Sequence, residues 1–324
     1  MLHRLPLAVL ALTLSLGLPA RAQDISTYPN RAVRIIVPYP AGGSADLMPR
    51  ILAERLSAKW GQPVLVEDRP GAGGNVGAEV VYKSDPDGYT LFASAPGPLV
   101  VNQNLYRTLP FDPTQFVPVT VMGLIPNVLL VNPNVSAKSV QSLIALARSS
   151  PGTLNYGSQG NGTTSHLTAE LFKSMAGGLK ITHVPYKGSA PELAALMGGE
   201  IELAFDNLGV TLPHIKSGRL RVLAVCSEKP IADLPGVPTL SAILPGFVSV
   251  TWFGIVAPPK TPMPIAEKIS AAVADAFKDP ALRKRFAGMN AEPVGNTPAQ
   301  MAAFMKQDGE RWAKVIRAAG VKVD

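Results

Sequence analysis

Cysteine is almost absent: Cys226 is the single one in 324 residues. That excludes an intramolecular disulfide and any cysteine-cluster metal site. Aromatic residues make up only 6% of the chain, and the basic residues are dispersed. Stacking platforms and basic patches for nucleic acid are therefore not supported. Neither Gly-x-Ser-x-Gly nor His-Glu-x-x-His occurs. Beyond the first segment the histidines are His166, His183 and His214, too scattered for a metal motif. After residue 22 no apolar run reaches the ~20 residues that span a bilayer. Residues 116–131 come nearest, and Pro118, Gly123 and Pro126 interrupt them.

Apolar residues are plentiful at 47% and charged ones few at 16%, which excludes a disordered tail. The 29 glycines and 31 prolines form about a fifth of the chain, loop-rich but short of low complexity. The formal charge of +7 fits nucleic acid, a membrane surface or acidic solutes, and composition does not choose among them. Length alone suggests about two domains.

The first segment reads as an address. Arg4 precedes an apolar stretch over 5–18, and Ala20-Arg21-Ala22 is an A-x-A cleavage site. A signal peptide over 1–22, cut before Gln23, is expected, and with it export. Cys226 lies at the end of an apolar run and reads as a buried structural thiol.

The rest repeats a strand–loop–helix pattern. Residues 33–37 are a β-branched run suited to a strand buried on both faces. A turn-rich loop follows, then helical spacing of Leu47, Met48, Ile51, Leu52, Leu56 and Trp60 up to Gly61. The pattern restarts near Asn127, with strands expected at 128–131, 154–156, 182–185, 201–205 and 220–226. Ser189-x-x-Glu192 and Thr297-x-x-Gln300 both read as capping boxes. Thr261-Pro262 and Asp279-Pro280 each place a cap residue before a helix-starting proline. The C-terminal helices need a sheet to cover, and the first lobe supplies it. The expected fold is therefore α/β, in two lobes that each carry a mostly parallel sheet flanked by helices. Lobe 1 comprises 23–124 plus 252–324, and lobe 2 comprises 125–251. A cleft between such lobes is a preferred place for a small ligand.

Two glycine loops face that cleft. Pro40-Ala41-Gly42-Gly43-Ser44-Ala45-Asp46 and Gly157-Ser158-Gln159-Gly160-Asn161-Gly162-Thr163-Thr164-Ser165 each lead from a strand into a helix. Helix starts offer unpaired N–H groups and a positive dipole end, which suits an anion such as a carboxylate. Tight turns with ordinary caps are the other reading. A third loop, Gly71 to Gly77, lines the cleft mouth or simply turns into a helix over 76–82. His166 reads as a pocket wall or a hydrogen-bonded structural group, and Asp46 as a first-turn helix residue. Asp206 ends an apolar strand beside the turn Asn207-Leu208-Gly209. It could accept a ligand's N–H or tie the loop.

With these loops placed, the chain resembles the substrate-binding proteins of tripartite tricarboxylate transporters, the Bug family of periplasmic solute receptors. The resemblance covers 28–323. It rests on the segments 37–46, 69–75 and 85–91, on His183-Val184-Pro185-Tyr186-Lys187-Gly188, on 234–239, and on Trp252-Phe253-Gly254. It implies a periplasmic-binding-protein fold of the Venus-flytrap, type II-like kind. It implies a ligand carboxylate held between Tyr39, Ala41, Gly42, Gly43 and Ser44 on one side and Ser158, Asn161, Thr163 and Ser165 on the other. Asp206 matches the family's strand-end Asp near the pocket. Tyr39 replaces a more usual Phe, and Ser241-Ala242-Ile243-Leu244 departs from the usual sequence before the next turn. A periplasmic monomer is expected, without metal, cofactor, catalytic residue or nucleic-acid partner, that delivers a small carboxylate to a membrane permease. Rival readings are a sensor docking on a membrane signalling protein and an extracytoplasmic enzyme using His166 and Asp206.

Overall fold

The computed structural model describes residues 25–323, and the expected leader over 1–22 lies outside the described residues. Val33–Val37 forms strand β1, with its four apolar residues buried and only Arg34, which pairs with Glu67, partly exposed. Helix α1, Ser44–Trp60, stops at Gly61, which takes φ 63° and donates its N–H to the Ser57 carbonyl. Strand β2 (Val64–Asp68), helix α2 (Asn75–Tyr82) and strand β3 (Thr90–Ser94) complete a parallel β2-β1-β3 unit.

Strand β4, Val117–Val131, is fifteen residues long. It leads into α3 (Val140–Ser149), β5 (Asn155–Ser158), α4 (Thr164–Met175), β6 (Thr182–Pro185) and α5 (Ser189–Gly198). Then come β7 (Leu203–Asn207), α6 (Leu208–Lys216) and β8 (Arg221–Val225). The chain returns through β9 (Val250–Ala257) to α7 (Met263–Ala276), α8 (Pro280–Gly288), β10 (Glu292–Pro293) and α9 (Pro298–Ala319).

The strands follow the path β2-β1-β3-β9-β4-β7-β5-β6, with β8 and β10 also beside β4. The outer pairs are parallel, and every pair that includes β4 or β9 is antiparallel. The antiparallel centre follows from connectivity: β4 leaves the first half of the sheet and β9 comes back to it. β4 changes partners along its length. From Val117 to Pro126 it pairs with β9. From Asn127 to Val131 it pairs with β7, and over 128–131 with β8 as well.

Each half has its own buried aromatic cluster. Phe172, Phe205 and Phe247 pack in the second half. Phe92, Phe116, Trp252 and Trp312 pack in the first, under α9. Trp252 keeps its indole N–H satisfied by donating to Asp308 Oδ2 at 2.7 Å. Cys226 is fully buried, and burial pushes its thiol up.

The helix starts test the sequence reading closely. Asp279 caps α8 by accepting from the Ala281 N–H at 2.9 Å. Thr297 and Gln300 form a reciprocal capping box at α9. At α7 the start falls one residue later than expected, because Thr261 turns its hydroxyl back to the Pro258 carbonyl at 2.8 Å. The expected box at α5 does not form. Gly188 holds the cap position with no side-chain cap bond, and the Ser189 hydroxyl goes elsewhere. The expected turn after Asp206 is instead the start of α6.

Candidate functional site

The loops before α1, α4 and α5 converge on one cavity. Tyr39, Pro40, Gly43, Ser44 and Ala45 line it from the first half, and Gln159, Thr163, Thr164, Gly188, Ser189 and Asn207 from the second. Its free volume is about 30 Å³, room for about two waters. An outer chamber of about 340 Å³ shares Tyr39, Pro40, Gln159, Thr163 and Gly188 with it. The third glycine loop, Gly71 to Gly74, forms one wall of that chamber. Thus the loop lines the cleft mouth and also leads into α2.

The first loop is pinned from behind. Asp46 accepts from the Gly42 N–H at 2.9 Å and pairs with Arg50. Arg50 also holds Asp68 at 2.8 Å. Asp46 is therefore a structural clamp, which leaves the Ser44 and Ala45 N–H groups at the helix start without intrahelical partners. Ser44 Oγ on this side is buried and lacks any partner, whereas Tyr39 Oη is buried beside Ser94 and Gly97. Burial pushes the Tyr39 phenol up to about 12, so it remains a neutral donor. A buried donor without an acceptor costs roughly 1–3 kcal/mol, and an anion in the cavity relieves that cost.

The second loop spends most of its hydroxyls on itself. Ser165 Oγ accepts from the Gln159 N–H at 2.9 Å, and Thr163 Oγ1 donates to the Gly160 carbonyl at 2.7 Å. Ser158 Oγ accepts from the Gly160 N–H at 3.2 Å and meets His183 Nε2 at 2.6 Å. His183 stacks on His166 with ring centroids 4.1 Å apart, and on Tyr156 at 4.7 Å. His166 Nδ1 accepts from the Gly162 N–H at 3.2 Å. Burial holds His166 down to about 4 and His183 to about 3, so both rings stay neutral and brace the loop. Of the two readings of His166, the hydrogen-bonded structural group is the one observed.

Asp206 lies at the end of β7, just behind the cavity. Its Oδ1 accepts from the Asn207 N–H at 2.6 Å, from Ser189 Oγ at 3.2 Å and from Gln159 Nε2. Its Oδ2 is buried with no partner. Burial raises its pKa to about 7, against the opposing hydrogen bonds. One turn into α5, Glu192 is fully buried with both carboxylate oxygens unpartnered. Burial, reinforced by the Asp206 charge, holds it well above the usual carboxylate range.

Of the residues expected from sequence, Tyr39, Gly43, Ser44 and Thr163 line the cavity. Asp206 stands behind Gln159 and Ser189 and ties the loop. Ala41 and Gly42 sit on the exposed outer side of their loop. Ser158 and Ser165 are buried inside the second loop. The main-chain carbonyl of Asn161 lies beside Gly73, and Asn161 is not among the residues lining the cavity. Gln159, Ser189, Asn207 and Thr251 are cavity residues that the sequence reading missed. Ser189 carried a misleading signal, the apparent capping box. Among the described residues no group of three or more His, Cys, Asp or Glu is placed to hold a metal.

Comparison with known proteins shows the family. The model of the tripartite tricarboxylate transporter family receptor matches residues 48–321. The chain belongs to this receptor family. An R. palustris protein solved with adipate is 38% identical with a TM-score of 0.87, covering 91% of this chain and 99% of that one. The periplasmic binding protein BugD is 30% identical with a TM-score of 0.84, covering 91% and 99%. MatC from Rhodopseudomonas palustris, solved with bound malate, is 28% identical with a TM-score of 0.83, covering 89% and 100%. The two-lobed binding-protein fold of the tripartite tricarboxylate receptors is thus the fold of this chain. Among the described residues no helix is long and apolar enough to cross a membrane.

Proposed function

We propose that this family member is a periplasmic solute receptor. It captures a small carboxylate between two lobes and hands it to a tripartite tricarboxylate-type permease. The observation that carries this reading is the buried, unpartnered Ser44 hydroxyl, in one cavity with the starts of α1 and α4. A desolvated carboxylate needs several donors at once, and this arrangement supplies them. Tyr39, Gly43, Ser44 and Thr163 would touch the ligand. Ala41, Gly42, Ser158, Asn161, Ser165 and Asp206 would hold the loops that present them. The adipate- and malate-bound relatives support the ligand class.

The lobes are 23–124 plus 252–324 and 125–251, joined by β4 and β9. The partner exchange of β4 between Pro126 and Asn127 favours that division. The leader over 1–22 would export the chain, which then works as a monomer. No cofactor or catalytic step enters this reading.

Titration calorimetry against acetate, succinate, malate, aspartate, adipate and citrate tests it. At least one acid should bind, and Ser44→Ala should weaken that acid about tenfold or more. Silence from the whole panel overturns the proposal.

A further inference from the structure

Behind one wall of the cavity stands a carboxyl that nothing neutralises. Gln159, Ser189 and Asn207 line the cavity, and all three donate to Asp206 Oδ1. Asp206 itself is fully buried, and its Oδ2 has no partner. The opposite wall is near. A Cβ placed on Gly43, at the start of α1, would lie 4.0 Å from Ser189 Oγ. An anion held at that helix start is therefore separated from Asp206 by a single layer of hydrogen-bonded residues.

No cation reaches Asp206 from the elements around it. α5 presents Ser189 and Glu192, and both Glu192 oxygens are themselves buried without partners. α6 presents the Asn207 N–H, and β4 sets the uncharged Val128 opposite Asp206. On the β5 side, Gly157 has Glu192, Tyr186 and Ile201 beside it. His166 and His183, which brace the second loop, are neutral. Lys187 is exposed on the outer chamber, and Arg50 is paired with Asp46 and Asp68 behind the first loop. Among the described residues neither Asp206 nor Glu192 makes an ion pair. Two anions in such a place repel with little screening. A proton on Asp206 Oδ2 removes one charge and leaves the three bonds to Oδ1 intact.

Building on the carboxylate-receptor reading, we propose that Asp206 is a proton site coupled to the anion site, so that the receptor takes up a proton with the carboxylate it captures. Glu192 keeps its own proton throughout. In the empty protein Asp206 titrates at about 7, because burial outweighs its hydrogen bonds. An anion in the cavity pushes it higher. The bound state then holds more protons than the free one, so affinity falls as pH rises above 7.

Acetate, succinate, malate and adipate stay ionised between pH 7 and pH 9, so protons taken up on binding enter the protein. Calorimetry on the full receptor with the tightest of these four, in buffers of different ionisation enthalpy, counts them. About half a proton or more should enter at pH 8, and affinity should fall at least fivefold from pH 7 to pH 9. Asp206→Asn keeps an oxygen to accept from Gln159, Ser189 and Asn207 and removes the titrating group. Confirmed folded by its thermal melt, it should bind with less than twofold pH dependence and no measurable uptake. Glu192→Gln should retain the uptake. Binding without proton uptake in the unaltered protein overturns the inference and leaves the carboxylate reading standing. Uptake that survives Asp206→Asn overturns the assignment to Asp206. Silence from all four acids at pH 7 overturns the inference, and aspartate and citrate then decide the carboxylate reading by themselves.

Discussion

Glu192 is the residue whose environment is hardest to reconcile with stability alone. Both of its carboxylate oxygens and Asp206 Oδ2 are buried without partners. Two such carboxyls cannot both ionise in a low-dielectric interior, so the pair retains a proton well above the usual range. The sign of the pH effect follows. Asp206 has its folded pKa raised to about 7 from an ordinary 3.8, and Glu192 is raised too. Between those limits the folded chain binds more protons than the unfolded one. The stabilising contribution is full below about pH 4. It is lost as pH rises through 7. Glu192→Leu removes an unsatisfied group while keeping its bulk. It should stabilise the protein by roughly 1–3 kcal/mol at pH 8, and by much less at pH 4. Denaturant melts at both pH values measure this. A variant less stable than its parent at pH 8 would refute the pair's assigned cost. Nothing in the sequence pointed to this pair, because Glu192 sits where a capping box predicts an exposed, bonded carboxylate.

Most local signals away from the site were read well, the Thr261 cap at α7 being the exception. The β-branched run of β1, the glycine stop of α1 and the Asp279 cap all follow from residues within one turn of themselves. The two Ser/Thr-x-x-Glu/Gln motifs show the limit. At α9 the Thr297 N–H donates to Gln300 Oε1 at 2.9 Å, and the Gln300 N–H returns to Thr297 Oγ1 at 3.3 Å. At α5 the same pattern fails, because Ser189 donates to Asp206 on a strand 17 residues away. That interaction is long-range and invisible to spacing. Both cavity-facing loops were legible from their glycines at strand ends, whereas the direction of each hydroxyl was not. The consequence is measurable. Thr297→Ala should cost about 1 kcal/mol of stability, as loss of a cap does. Ser189→Ala should cost only a few tenths, since it caps nothing and Asp206 Oδ1 keeps two other donors. Equal losses in parallel urea melts would contradict the distinction.

On the scale of the whole molecule, the two halves meet on a ribbon of β4 and β9, and the ribbon is not uniform. Around Asn127 a buried polar knot ties it. Asn127 Nδ2 donates to Ser249 Oγ at 2.9 Å, and Asn207 Nδ2 donates to Asn127 Oδ1 at 2.9 Å and to Thr251 Oγ1 at 2.8 Å. Thr164, at the start of α4, joins through Thr251 at 2.7 Å. Asn207, Thr164 and Thr251 also line the cavity, so the knot couples the ribbon to the site. From 128 to 131 β4 has ladders on both edges. From Val117 to Pro126 it has β9 on one edge and, on the other, a two-residue bridge to β10 continued by the Val294 and Gly295 N–H groups and Asn296 Oδ1 at Thr120–Met122, which leaves 117–119 and 125–126 without a second edge. Register breaks between Pro118 and Thr120 and between Val121 and Gly123 interrupt that stretch further. A hinge between lobes bends where the ladder is thinnest, because fewest hydrogen bonds must flex there. If the proposed lobes move, the bending segment is expected within 117–126, on the first-half side of Asn127, with the second-half end of β4 held by the knot. Native-state hydrogen exchange resolves this directly. Amides within 119–125 should exchange at least tenfold faster than those of 128–131, although both stretches are equally deep in sequence within one strand. Equal protection along β4 would place the hinge elsewhere, and faster exchange at 128–131 would put it inside the knot.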